Sequence, residues 1–135
     1  MKHYIKIIFS LFLGLTLANC VFSDEDDLST QDLLIGQWQL SSKVINGTAV
    51  EMNDENICDF YYTNEFTYNK KIETFYSPTG DETICTFEST TSYDYSVDKN
   101  IITVNNIDSE ILQLTTSKLH VKIDATTELT FEKIN

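Results

Sequence analysis

Hydrophobic and polar residues alternate along most of the chain, and no long helical period is present. In the first such segment Trp38, Leu40, Ser42 and Val44 share one face, with Gln37, Gln39, Ser41 and Lys43 on the other. This period of two is that of a strand half buried in a sheet. Asn46-Gly47 follows, a dipeptide suited to a tight hairpin turn because both positions accept positive φ. Further strands are expected over 57–63, 65–76, 83–97, 101–105, 110–115, 119–123 and 127–133, with turn clusters at 77–81 and 98–100. Within 83–97, Phe87, Ser89, Thr91, Tyr93, Tyr95 and Val97 fall on one face. In Leu119-His120-Val121-Lys122-Ile123 the alternation puts His120 on the solvent side. Ahead of the strands, 28–35 reads as a short helical turn, with Ser29 as cap and Asp32 at the capping-box spacing. About eight strands joined by short turns predict an antiparallel barrel or a sandwich.

The start of the chain reads differently. Lys2, His3 and Lys6 precede a run over 7–17 that is apolar apart from Ser10, Gly14 and Thr16. Its length suits a secretory signal and falls short of the ~20 residues a spanning helix needs. Leu17-Ala18-Asn19-Cys20 resembles the lipobox of bacterial lipoproteins. That resemblance implies a signal peptide over 1–19 and a lipid anchor on Cys20, which attaches the protein to a membrane. An ordinary signal peptide cut nearby is the alternative. Residues 20–32 then form an acidic tether and 33–135 the folded domain. The run Asp24-Glu25-Asp26-Asp27 reads as a solvated, extended spacer. It also resembles the export signal of some Gram-negative lipoproteins, which implies the outer membrane and its cell-surface side, with the periplasmic side as the alternative.

Charge and cysteines narrow the function. The chain has 135 residues, enough for one domain, and its net charge is −12. From Cys20 onward seven lysines stand against 21 acids, a net charge of −14. Nucleic acid is excluded as a partner, since binding it needs a basic stripe. Anionic membrane surfaces and acidic polysaccharides are disfavoured by the same repulsion. There is no Gly-rich phosphate loop, no HExxH and no Cys-x-x-Cys, and His120 is the one histidine beyond the leader. No catalytic residue, metal site or cofactor is therefore expected. Asp54-Glu55 and Asp81-Glu82 read as ordinary acids of turn-like stretches. With Cys20 lipidated, Cys58 and Cys85 remain as an even pair, and outside the inner membrane such a pair oxidises. A disulfide closing a loop of about 28 residues adds about 3.6 kcal/mol on the chain-entropy account. The rival reading, a catalytic thiol, has only His120 to serve as base.

Leu34-Ile35-Gly36-Gln37-Trp38, after a helical turn, resembles the Gly-x-Trp signature that opens the first strand of lipocalins. More closely, the chain resembles the lipocalin-like domain of small bacterial lipoproteins. Gly36 and Trp38, Cys58, Cys85 and the closing Leu129-Thr130-Phe131-Glu132-Lys133 carry that likeness, over 33–135. It implies an all-β, eight-stranded antiparallel up-and-down barrel preceded by a short helical turn. Lys133 stands where lipocalins often place an Arg over the Trp, and a cation–π contact there is worth roughly 0.5–2 kcal/mol. The resemblance also implies a small hydrophobic ligand, and a monomer that binds it without catalysis is expected. Phe87, Tyr93 and Tyr95 are the leading candidates to line such a pocket, with Phe60, Tyr62 and Phe66 behind them. The alternative is a filled barrel whose loops or acidic face contact a protein or glycan, such as a basic enzyme that it inhibits.

Overall fold

The computed structural model describes residues 28–53 and 55–135. The expected signal peptide, the lipid site Cys20 and the acidic run lie outside the described residues, as does Asp54.

A five-residue helix, α1 (Thr30–Leu34), opens the domain. Ser29 and Asp32 form the full capping box: each side chain accepts from the other's backbone N–H, satisfying donors that the first turn leaves free. The strands follow as β1 (Gly36–Ile45), β2 (Thr48–Ala49), β3 (Thr63–Phe66), β4 (Lys70–Thr79) and β5 (Asp81–Asp98). After them come β6 (Ile101–Val104), β7 (Ile107–Leu114), β8 (Lys118–Lys122) and β9 (Thr127–Lys133). Sequential neighbours pair antiparallel and β9 returns to β1, while the two-residue β2 merely extends the β1 hairpin. The result is a closed eight-stranded up-and-down barrel, contained within residues 28–135. Closure removes the free edges that an open sheet would expose. Asn46, Gly47, Lys99, Asn105 and Asn106 all take positive φ at the tight turns.

Two expectations about strands change. Residues 57–63 do not form a strand; Ile57–Tyr61 is a 3₁₀ helix. The preceding asparagines explain this locally. Asn53 Oδ1 accepts from the N–H of Glu55 and Asn56, and Asn56 Oδ1 accepts from Asn53 N–H. Such side-chain bonds offer the backbone an alternative to a ladder. The span 65–76 holds two strands rather than one, because Thr67 Oγ1 accepts from Lys70 N–H and turns the chain at 67–69. Residues 81 and 82, expected in a turn, begin β5.

One-residue bulges alter which side chains face inward. Leu40 pairs with Phe131 but Ser42 with Thr130, so Ser41 is an extra residue in β1. Beyond it Lys43 and Ile45, not Ser42 and Val44, join Leu40 on the inner side. On β5, Ser89 stands opposite Phe75 but Phe87 opposite Tyr76, which makes Glu88 the extra residue. Only Tyr95–Asp98 of β5 pair with β6. The earlier part pairs with β4 alone and forms a two-stranded arm. The Cys58–Cys85 disulfide, with Cα atoms 5.4 Å apart, ties this arm to the 3₁₀ helix.

The core is deepest at the end covered by α1, where Leu34, Trp38, Leu119 and Phe131 are almost fully buried. Trp38 Nε1–H donates to Leu34 O at 2.7 Å. Lys133 Nζ lies 4.9 Å from the Trp38 ring centroid and donates to Leu33 O at 3.1 Å. Gly36 has φ +131°, and a Cβ there would sit 2.5 Å from Lys133 Cε and 2.9 Å from Asn135 O. Glycine is thus required by both backbone and space. Gly36→Ala is expected to cost about 2–4 kcal/mol in urea unfolding, from strain and overpacking together. Lys133→Ala is expected to cost about 1 kcal/mol, a drop of about 4–8 °C in Tm; an unchanged Tm would remove the cation–π contact from the account.

Candidate functional site

Opposite the α1 end the barrel is open. A mouth of about 470 Å³ is lined by Leu40, Lys43, Ile45, Cys58, Asp59, Tyr62, Phe75, Tyr76, Ile123, Thr127 and Leu129. Beneath it an inner cavity of about 140 Å³ reaches toward Phe66, Ile102, Leu119 and Phe131. The linings of the two share Tyr62, Ile123 and Leu129. Ile45, Phe75 and Ile123 are large apolar side chains left partly exposed, and each lines the mouth.

The strand register builds a polar set into this apolar interior. Asn64 pairs with Glu73 and Phe66 with Lys71 across β3 and β4. Asn64, Phe66, Lys71 and Glu73 all line the inner cavity. Lys71 Nζ lies 2.5 Å from Glu73 Oε1, with side chains only 18% and 15% exposed. Tyr62 OH lies 2.8 Å from the same Oε1 and 2.9 Å from Asn64 Oδ1, sharing its one proton between these acceptors. Its ring packs between Phe75 and Phe131, at centroid distances of 5.0 and 6.0 Å. Leu40 N–H donates to Tyr62 O at 3.0 Å, and Gln39 Nε2 donates to Phe60 O, so β1 holds the chain at Tyr62 and two residues before it. Burial first, and then the charge and hydrogen bond of Glu73, push the Tyr62 phenol well above the ordinary tyrosine range. The phenol therefore remains a neutral donor at any physiological pH.

The six aromatic candidates are dispersed. Tyr62 lines both cavities and Phe66 the inner one. Phe60 is buried on the 3₁₀ helix as part of the core, outside either lining. Tyr95 packs edge-on to Phe66 at 5.2 Å and donates to Thr67 O at 2.7 Å, which makes it part of the closed end. Tyr93 is half buried opposite Lys71 and lines neither cavity. Phe87 was expected on the face of Tyr93 and Tyr95; the Glu88 bulge breaks that alternation, and Phe87 stands 63% exposed on the arm. Cys58 and Cys85 are joined, which leaves no thiol there for catalysis. His120 faces outward and pairs with Glu128 at 3.0 Å. Among the described residues, no three His, Cys, Asp or Glu side chains gather as a metal site requires.

Sequence reasoning missed Lys71 and Glu73. Two opposite charges at i and i+2 share one strand face, but reading 65–76 as one uninterrupted strand puts that face opposite Phe66, whereas the turn brings it beside Phe66 and Asn64. It missed Lys43 and Ile45 because of the Ser41 bulge.

The family model for the lipocalin-like domain matches residues 34–121. Among solved structures, a lipocalin-like protein from Bacteroides uniformis is similar to the chain at 16% identity and a TM-score of 0.53. The match covers 76% of this chain and 99% of that one. An uncharacterized protein from Bacteroides eggerthii is similar at 12% identity and a TM-score of 0.53, over 74% and 98% of the two chains. At such identities the likeness is one of fold. No curated protein matches the sequence.

An unfolded tyrosine ionises near pH ~10, whereas folded Tyr62 keeps its proton beyond that. Above that pH the unfolded state alone loses the proton, so stability falls as pH rises, by up to about 1.4 kcal/mol per pH unit for this group. Tyr62→Phe is expected to flatten that alkaline slope in urea unfolding between about pH 9 and 11. Equal slopes in the two proteins would show that the phenol is not held neutral by the fold.

Proposed function

The chain belongs to the lipocalin-like domain family, and on that basis we propose that it binds a small hydrophobic molecule inside its barrel, without catalysis. The observation that carries this reading is the pair of spaces inside the barrel, an open mouth and an inner cavity, whose linings share Tyr62, Ile123 and Leu129. An eight-stranded barrel is just wide enough either to be filled by side chains or to hold one ligand. Here the walls are mostly apolar and a few polar groups converge, the composition of a small-molecule site.

The lipobox-like Leu17-Ala18-Asn19-Cys20 and the acidic run after it support the rest of the proposal. The protein is exported, anchored through a lipid on Cys20, and held at the outer membrane on its cell-surface side as a monomer. A second reading, a module that contacts a basic protein, draws on the net charge of −14 and on the arm edge of β5 that does not pair with β6.

The test is native mass spectrometry on the chain from Val21 onward, purified without detergent after export. An added small-molecule mass released on denaturation is the expected result. A bare mass that persists after incubation with apolar compounds would turn the search to protein partners. In solution, Leu129→Trp should fill space at the wall common to mouth and inner cavity and weaken Nile red binding about tenfold or more, roughly 1.4 kcal/mol. Phe87→Ala should leave that binding unchanged. Equal loss in both variants would place the dye elsewhere.

A further inference from the structure

The polar groups of the inner cavity specify more than an apolar ligand. Lys71 and Glu73 are one cation and one anion in contact at 2.5 Å, so the charge they bring to the cavity sums to zero. Tyr62 OH and Asn64 complete the set without adding charge, and Ser109 faces the same space. Around them the wall is Phe66, Ile102, Val104, Leu119, Val121 and Phe131.

We infer that this cavity selects amphiphiles with an uncharged polar head, such as an alcohol or amide, over the matching carboxylate or amine. The inference rests on the proposed binding function and adds the chemistry of the head group. A carboxylate entering there meets Glu73 as well as Lys71, and an ammonium meets Lys71 as well as Glu73. Neither ion finds a free counter-charge, and each would leave water for a medium that does not replace its hydration. A hydroxyl or amide loses far less on desolvation. It can donate to the Glu73 carboxylate and accept from the Lys71 ammonium, which has Glu73 as its one partner among the described residues. A wholly apolar molecule would cover these groups and supply no hydrogen bond in return.

The mouth offers a competing arrangement. Lys43 and Asp59 both line it, but it is open to water, where solvent weakens the discrimination between charged heads. A head held at the mouth would therefore produce little ranking, or a preference for acids that depends on Lys43.

The experiment is displacement of Nile red from the chain beginning at Val21 by decan-1-ol, decanoate and decylammonium at pH about 7.5, where both ions are charged. The expected order places decanol about tenfold or more ahead of both ions. Glu73→Gln leaves Lys71 without its anion and should raise decanoate about tenfold relative to decanol. Lys71→Met leaves Glu73 alone and should do the same for decylammonium. The two variants shift in opposite directions, so a loss of packing common to both cannot imitate the result. If either variant fails to fold, the wild-type order and the other variant still decide.

Three results overturn the inference. One is equal affinity for the three compounds. Another is a decanoate preference abolished by Lys43→Met. The third is a ranking that neither substitution changes. In each of these Nile red still binds, so the proposed ligand-binding function stands while the head-group inference falls. Failure of Nile red and of all three amphiphiles to bind would remove both.

Discussion

A sheet closes on itself only if its first and last strands meet, and here β1 and β9 meet along pairs running from Trp38–Lys133 to Ile45–Thr127. The Trp38 end of this seam is sealed by contacts of three kinds. The indole N–H is satisfied by Leu34 O, the ammonium of Lys133 lies over the ring, and Gly36 leaves the space in which the lysine stem runs. Burial pulls the Lys133 ammonium below its ordinary pKa, while the ring and Leu33 O, at 3.1 Å, favour the charged form. The Gly-x-Trp pattern is thus a packing solution: the glycine admits the lysine that covers the tryptophan.

The other end owes its character to irregularity. If β1 alternated without interruption, Ser42 and Val44 would face the mouth; the Ser41 bulge substitutes Lys43 and Ile45. The Glu88 bulge moves Phe87 away from the Tyr93–Tyr95 face and shapes the arm that Cys85 fastens to the 3₁₀ helix. A bulge adds one residue, yet it exchanges the two faces of all that follows in the strand.

Much of this was legible in the sequence. The capping box at Ser29 and Asp32, the Asn46-Gly47 turn, the β9 limits at Thr127 and Lys133 and the Trp38–Lys133 contact follow from local chemistry or from the family resemblance. What was hidden depended on register. Neither bulge has a residue signature, since Ser41 and Glu88 sit in otherwise regular alternation. The turn at 67–69 contains no Gly or Pro; its signals are the weaker ones of Asn69 and of a Thr67 hydroxyl that bonds Lys70 N–H. Once that turn was missed, Lys71 and Glu73 could not be assigned to the cavity, nor could the buried Asn64 be matched with them across the ladder. Phe87 was misplaced for the same reason that Lys43 was overlooked.

The seam also sets an order of events in time. Lys133 and Leu33, joined at the closed end, are 100 residues apart in sequence. Before the final strand arrives, the β1 edge has no partner and Trp38 has no cover. Pairings of this kind require a long loop to close before any contact rewards it, which makes barrels of this sort slow folders. The Cys58–Cys85 bridge spans only 27 residues and belongs to the early, local side of that search. Synthesis from the amino end therefore delivers β9, which completes the barrel, after all the other strands. In a chain made from the amino end, the barrel closes only after its last strand has arrived.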